Sequence, residues 1–283
     1  TNNGTINGTG IIRTITNHII SGSGTYSSNI TYSNDYRLTF DTDLTLNNHY
    51  VPPSGSVIIN NGKVVTISGN FRCNSSSGNY VTNNGTIVIG DPTNFFITYE
   101  SSQDRLRSLS GNLELNSGGS IPQTEDGGYK NLTLSGTTTS NFSFSINGNI
   151  TNSGSYTSTG SSTVIFNGTS DQFISSSGTS NFETISITNS SGINISDAGH
   201  TLNASGVVTN EGNLVVVGIF NSTNSIIFSG SVSEQTISGT GTTNFQDVSI
   251  SNANGINISD ANHTISCVGT IANSGNLQNI GIF

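Results

Sequence analysis

An all-β chain wound as a right-handed parallel β-helix is the fold this sequence predicts, and three observations carry it. Ile, Val and Thr recur in short alternating runs such as GKVVTISGNF and ETISITNSSGINIS. That is strand chemistry, because β-branched side chains are stiff at χ1 and fit a pleated surface. No stretch carries apolar residues at helical spacing for three turns. Finally, a long segment repeats itself without a gap at an offset of 63 residues.

The repeat sets the organisation. Residues 171–220 read DQFISSSGTSNFETISITNSSGINISDAGHTLNASGVVTNEGNLVVVGIF, and residues 234–283 read EQTISGTGTTNFQDVSISNANGINISDANHTISCVGTIANSGNLQNIGIF. Phe182 falls on Phe245, Gly192 on Gly255, His200 on His263 and Gly206 on Gly269. A degenerate copy lies upstream, where YESSQDRLRSLSG answers FNGTSDQFISSSG and GNITNSGSY answers GVVTNEGNL. The chain is therefore expected to divide into a β-rich region of irregular coils, 1–95, and three repeats over 96–283. The repeats are 96–162, degenerate with an insertion near 114–127, then 163–223 and 224–283. A unit of this length is shorter than an immunoglobulin-like sandwich of about 100 residues. It divides into three coils of roughly 21 residues, with Asn-Gly, Ser-Gly and Gly-x-Gly corners whose residues tolerate positive φ. One coil cannot bury its apolar face, but stacked coils share a continuous core.

Three strings in the repeats, Q-x-I-S-G-x-G-T-x-x-F-x-x-[IV]-x-I, G-[IV]-x-[IL]-S and G-x-[IV]-x-N-x-G-x-L, resemble those of large cell-surface β-helix proteins. These are adhesins and autotransporter-passenger-like proteins of bacteria, with similar sequences in archaeal envelope proteins. The resemblance is good over 171–283, fair over 96–170 and weak before that. It implies a parallel β-helix at a cell surface, and it brings no catalytic residue with it.

Composition narrows the function classes. Only 8% of residues are charged and 31% are hydrophobic, while Gly, Asn, Ser and Thr fill most of the rest. Disordered chains of low hydrophobicity are usually charge-rich and poor in β-branched residues, which this one is not. The formal net charge is −9, and every Lys and Arg lies within the first 130 residues. Nucleic acid is thereby excluded as an expected partner, since phosphate binding needs a basic surface. No apolar run approaches the roughly 18 residues that span a bilayer, so membrane insertion is not expected. The chain begins at Thr1 and contains no Met, which fits either a mature exported chain or a boundary cut from a longer one. An extracellular location is the expectation. Cys73 and Cys267 are too few for a disulfide scaffold. In a solenoid they would lie roughly 40 Å apart, beyond the ~7 Å Cα limit of a disulfide, so inward-facing free thiols are expected.

Several residues invite chemistry. Charge is densest between Asp91 and Lys130, where Glu100, Asp104, Arg105, Arg107, Glu114, Glu125 and Asp126 are the catalytic candidates of a polysaccharide-cleaving β-helix. Asp104 aligns with Asp171 and Glu234, so a positional role is expected instead, and neither catalysis nor a cofactor is predicted. Asp197 and Asp260 each precede a histidine by three residues and are weak cation candidates. Calcium takes six to eight oxygens, and Asp capping its own turn is the simpler reading. The four histidines are too scattered for a zinc site. Sequons at Asn7, Asn74, Asn131 and Asn203 are candidate glycosylation sites, in numbers little above chance. No Thr-x-Thr row recurs once per coil, which argues against ice binding.

Neither terminus reads as a polar cap, and solenoids normally need one. Ile11, Ile12 and Ile15 at one end and Leu277, Ile280, Ile282 and Phe283 at the other are therefore expected to carry head-to-tail self-assembly. The expected function is a subunit of a surface filament, sheath or layer whose partner is itself. The alternative is a stalk that displays a binding face to carbohydrate or to other surface proteins.

Overall fold

The structure is a computed structural model. It describes the chain except residues 7–9, 24, 27–29, 35–36, 47, 52–55, 69–70, 75–80, 91–94, 99–105, 108–109, 125–126, 232 and 282–283. Among the described residues every regular element is a strand, and the strands pair in parallel as a β-solenoid. The chain forms two compact units, Thr1–Gly136 and Thr137–Phe283. This division follows contact density and falls within the segment that the repeat phase assigns to 96–162.

In the first unit one face stacks Leu44–Leu46, Val64–Ile67, Thr86–Ile89, Asn112–Leu115 and Asn131–Leu134. A second stacks Gly10–Thr14, Ile30–Asn34, Asn48–Val51, Phe71–Asn74 and Phe95–Thr98. A third stacks His18–Ile20, Arg37–Phe40, Ser56–Ile59, Val81–Asn83 and Leu106–Arg107. The described strands within residues 1–95 thus pair in parallel from coil to coil. Within the insertion near 114–127, Ile121 and Thr124 are buried, and the Tyr129 hydroxyl donates to the Pro122 carbonyl.

The second unit has the same three-faced coil. Its first face runs through Ile150–Asn152, Gln172–Ser175, Ile193–Ile195, Leu214–Val216, Gln235–Ser238, Ile256–Ile258 and Leu277–Asn279. Its second runs through Ser155–Ser158, Thr179–Phe182 and Thr201–Ala204 to the leading half of Ile219–Phe228, the leading half of Thr242–Ile250 and Thr264–Cys267. The third takes Thr163–Phe166, Thr184–Ile187 and Val208–Asn210, the trailing halves of those two long strands, and Ile271–Asn273.

Strand alternation decides what faces inward. Residues at equal positions in successive coils pair directly, so each inward side chain stands in a column. One column runs Phe182, Ala204, Ser222, Phe245. Phe182 and Phe245 are therefore three coils apart, and both are buried. Val208 reaches Ile271 in the same number of steps through Ile226 and Val248. In this column two small residues, Ala204 and Ser222, separate the two rings, so that neither ring stacks directly on another at the coil spacing of about 4.8 Å. The aromatics reach across between columns instead. Tyr156 and Phe182 have ring centroids 5.3 Å apart, and Phe220 and Phe245 meet edge-on at 6.0 Å.

Phe220 is fully buried at the centre of this packing. Phe220→Ala is expected to cost about 3–5 kcal/mol, the range for a buried aromatic truncated in a core. Urea unfolding reads the effect as a lower midpoint; an unchanged midpoint would contradict the column assignment.

Candidate functional site

The polar residues of the repeat fall into three sets, and the first fastens coil to coil inside the corners. Gln172 is buried; its Nε2 donates to the carbonyls of Ile146 and Gly148, each at 2.7 Å. Its Oε1 accepts from the Gly168 amide at 2.8 Å and from Asn189 Nδ2 at 3.2 Å. Gln235 repeats the arrangement on Asn210, Gly212, Gly230 and Asn252. Both amides thus have their donors and acceptor met, as burial demands. The N-x-G strings have a related cause. Asn210 Oδ1 accepts from the Gly212 amide at 3.0 Å, and a Cβ on Gly212 would come within 2.1 Å of the Asn189 carbonyl oxygen.

Two buried histidines form the second set. The Nδ1 of His200 donates to the Ser176 carbonyl at 2.8 Å, and that of His263 to the Gly239 carbonyl at 3.0 Å. In this tautomer Nε2 is an acceptor. The Thr243 hydroxyl donates to His263 Nε2 at 2.7 Å. The corresponding residue beside His200 is Ser180, whose hydroxyl instead accepts from Asn152 Nδ2 at 3.0 Å, and His200 Nε2 has no partner among the described residues. Burial lowers both histidine pKa values, opposed by the backbone carbonyls and by Asp197 and Asp260 respectively. Those two aspartates cap turns, accepting from the amides of Gly199 at 2.8 Å and Asn262 at 2.9 Å. Among the described residues no group of three or more His, Cys, Asp or Glu is placed to share a metal ion.

The third set faces outward on the second face of the unit. Asn181, Asn203, Asn221 and Asn244 form one column in which each Nδ2 donates to the preceding Oδ1 at 2.8 Å, from Asn244 down to Asn181. Asn181 in turn donates to Thr157 Oγ1 at 3.4 Å. Of these asparagines the sequence singled out Asn203 alone, as a sequon. The signal that reveals the column is an Asn at the third position of TSNF, TLNA, IFNS and TTNF, each an alternating strand.

Beside this ladder a groove of about 380 Å³ opens at the corner between the second and third faces. Asn203, Asn221 and Asn244 edge it, Ser205, Thr223 and Gln246 add polar atoms, and Ala204, Ser222, Phe245 and Val268 complete the lining, of which Val268 is the exposed apolar side chain. Corner length explains it. Residues 205–207, 223–225 and 268–270 each make three-residue corners, whereas only residues 246–247 join Phe245 to Val248. The shorter corner recedes between longer neighbours. The Phe182 coil has the same short corner, but there the long preceding corner folds over it, and the Ser161 amide donates to Glu183 Oε2 at 2.6 Å.

Glu114 lies in a strand, paired with Val88 and Thr133. Glu100, Asp104, Arg105, Glu125, Asp126, Asn7, Ile282 and Phe283 lie outside the described residues, as do the side chains of Ile11, Cys73, Asn74 and Arg107. Asn131 and Asn203 are mid-strand, and each donates through Nδ2 to a neighbouring asparagine at 2.8 Å. Ile12 is half-buried and Ile15 exposed. Leu277 and Ile280 are exposed on the last described coil. Cys267 is a free thiol in the inward column below Phe245; it is half-buried there rather than enclosed, because it belongs to that last described coil.

Compared with protein-family models, with curated proteins and with solved structures, the chain matches none.

The histidines make stability depend on pH. An unfolded histidine titrates near 6.5, and the folded values lie below that. Above about pH 6.5 both states are neutral and stability is flat. As pH falls below that value the unfolded state takes up protons first, so stability declines until the folded pKa is passed. Melting temperature measured from pH 7.5 to 5 is expected to fall on the acid side, and His200→Gln with His263→Gln to flatten the profile.

Proposed function

We propose that this chain is a structural element of an extracellular surface, a β-solenoid subunit of a filament, sheath or layer. The observation that carries the reading is the use to which polar side chains are put. The Asn181–Asn203–Asn221–Asn244 column and the Gln172 and Gln235 fastenings are spent on joining one coil to the next. Such ladders reward continuation, since every added coil supplies a partner to the one before it. Low charge and a Ser-, Thr- and Asn-rich exterior suit a surface that meets water and neighbouring copies without strong repulsion. The reading contains no catalytic step.

End-to-end association is part of the proposal. The strands Thr264–Cys267, Ile271–Asn273 and Leu277–Asn279 pair in parallel with the coil before them, and a coil of the same pattern from another copy would match them in spacing and in side-chain type.

Electron microscopy of the concentrated protein is expected to show unbranched filaments. Leu277→Lys with Ile280→Lys should abolish them while leaving the β-sheet circular dichroism unchanged. A chain that sediments as a monomer at every concentration would remove the polymer from the proposal.

A further inference from the structure

The groove beside the asparagine ladder has a chemistry that the structural reading does not use. We infer that it is a binding site for a neutral oligosaccharide, one without carboxylate, sulfate or amine groups. The inference goes beyond assembly and holds whether or not copies associate.

Three features select this ligand class. First, among the described residues the lining is uncharged. The second unit contains no Lys or Arg, while Asp171, Glu183, Asp197, Glu211, Glu234, Asp247 and Asp260 all lie in it. An acidic glycan would meet no cation and a field of its own sign. The nearest carboxylate, Asp247, is already engaged with the Thr270 amide at 2.7 Å and hydroxyl at 2.8 Å.

Second, the polar edge offers donors and acceptors together. Within the ladder an asparagine amide uses one N–H and one oxygen lone pair on its neighbours, leaving a second N–H and a second lone pair. Vicinal sugar hydroxyls donate and accept at once, and a row of half-used amides repeating every ~4.8 Å matches them. Because the ladder holds each amide in place, little side-chain freedom is lost on binding. Third, Val268 is 79% exposed at the groove wall. A lone exposed valine is unremarkable. Here it is the exposed apolar side chain in a groove otherwise edged by amides and hydroxyls, and it suits the C–H face of a pyranose ring.

The short corner at residues 246–247 is the geometric origin of the site. The equivalent corner at Glu183 is covered, so the second unit carries the groove at one of these two positions.

Affinity electrophoresis in gels containing laminarin, galactomannan or dextran tests the inference, with polygalacturonate as the acidic control. At least one neutral polysaccharide is expected to retard the protein, and polygalacturonate is not. Thr223→Trp, which fills the groove, and Val268→Asp, which places a charge at its wall, should each weaken retardation at least tenfold. Thr188→Trp, on an exposed position elsewhere, should not. Val268→Asp lies on so exposed a side chain that it keeps the test valid if Thr223→Trp disturbs folding, and the melting temperature of each variant checks this. Absence of retardation by all three neutral polymers overturns the site, as does binding to polygalacturonate alone or undiminished binding by Val268→Asp. None of these results bears on whether filaments form.

Discussion

Parallel, in-register stacking is the constraint on which the remaining features rest. When coil follows coil in register, each residue has a like-placed residue above and below it, at the ~4.8 Å spacing of neighbouring strands. A side chain must then be compatible with its column as well as with its surroundings. A one-residue slip would turn an entire strand inside out, so the register is strongly specified wherever one side is buried. The separation of Phe182 from Phe245 by Ala204 and Ser222 is that requirement expressed as volume. The asparagine ladder is the same requirement expressed as hydrogen bonding.

This explains how a chain with only 31% hydrophobic residues sustains a long stack. Each coil needs one inward row, and the corners are closed by polar groups whose partners lie in the neighbouring coil. A net contribution of about 1 kcal/mol per hydrogen bond is modest, but a buried amide left unpartnered costs more than that. Gln172 and Gln235 avoid the cost by reaching two carbonyls each. The histidines show both outcomes: His263 is satisfied by Thr243, while Ser180 beside His200 is turned toward Asn152. A one-methyl difference between Thr and Ser at equivalent positions accompanies that change of partner.

Corners carry the individuality that columns forbid. Face strands must keep their length to stay in register, whereas a corner can gain or lose a residue if its neighbours accommodate the change. The short corner after Phe245 leaves a groove, and the equivalent one after Phe182 is closed by a longer neighbour through Ser161 and Glu183. In the proposed readings, regular faces favour extension of the stack and irregular corners supply its places of recognition. The structural proposal and the groove proposal draw on these two properties separately.

Much of the fold was legible in the residues. Alternating Ile, Val and Thr runs settled the strand class, and the match of Phe182 with Phe245 corresponds to a column that runs over three coils. Turn chemistry at Asp197 and Asp260 was legible too, because an Asp side chain bonding the amide two residues on is a local event. The ladder of asparagines, the burial of His200 and His263, and the groove were not. Each depends on which residues meet across coils, and those residues lie about 18 to 24 positions apart in sequence. By itself the sequence determined the period, the inward rows and the corner types, since these follow from backbone preference and the two-residue alternation of a strand. Only the tertiary structure decided which amides pair, which histidine nitrogen is satisfied and which corner stays open. Those outcomes turn on single-residue differences in corner length and on side-chain geometry between coils, and local sequence preference does not record them.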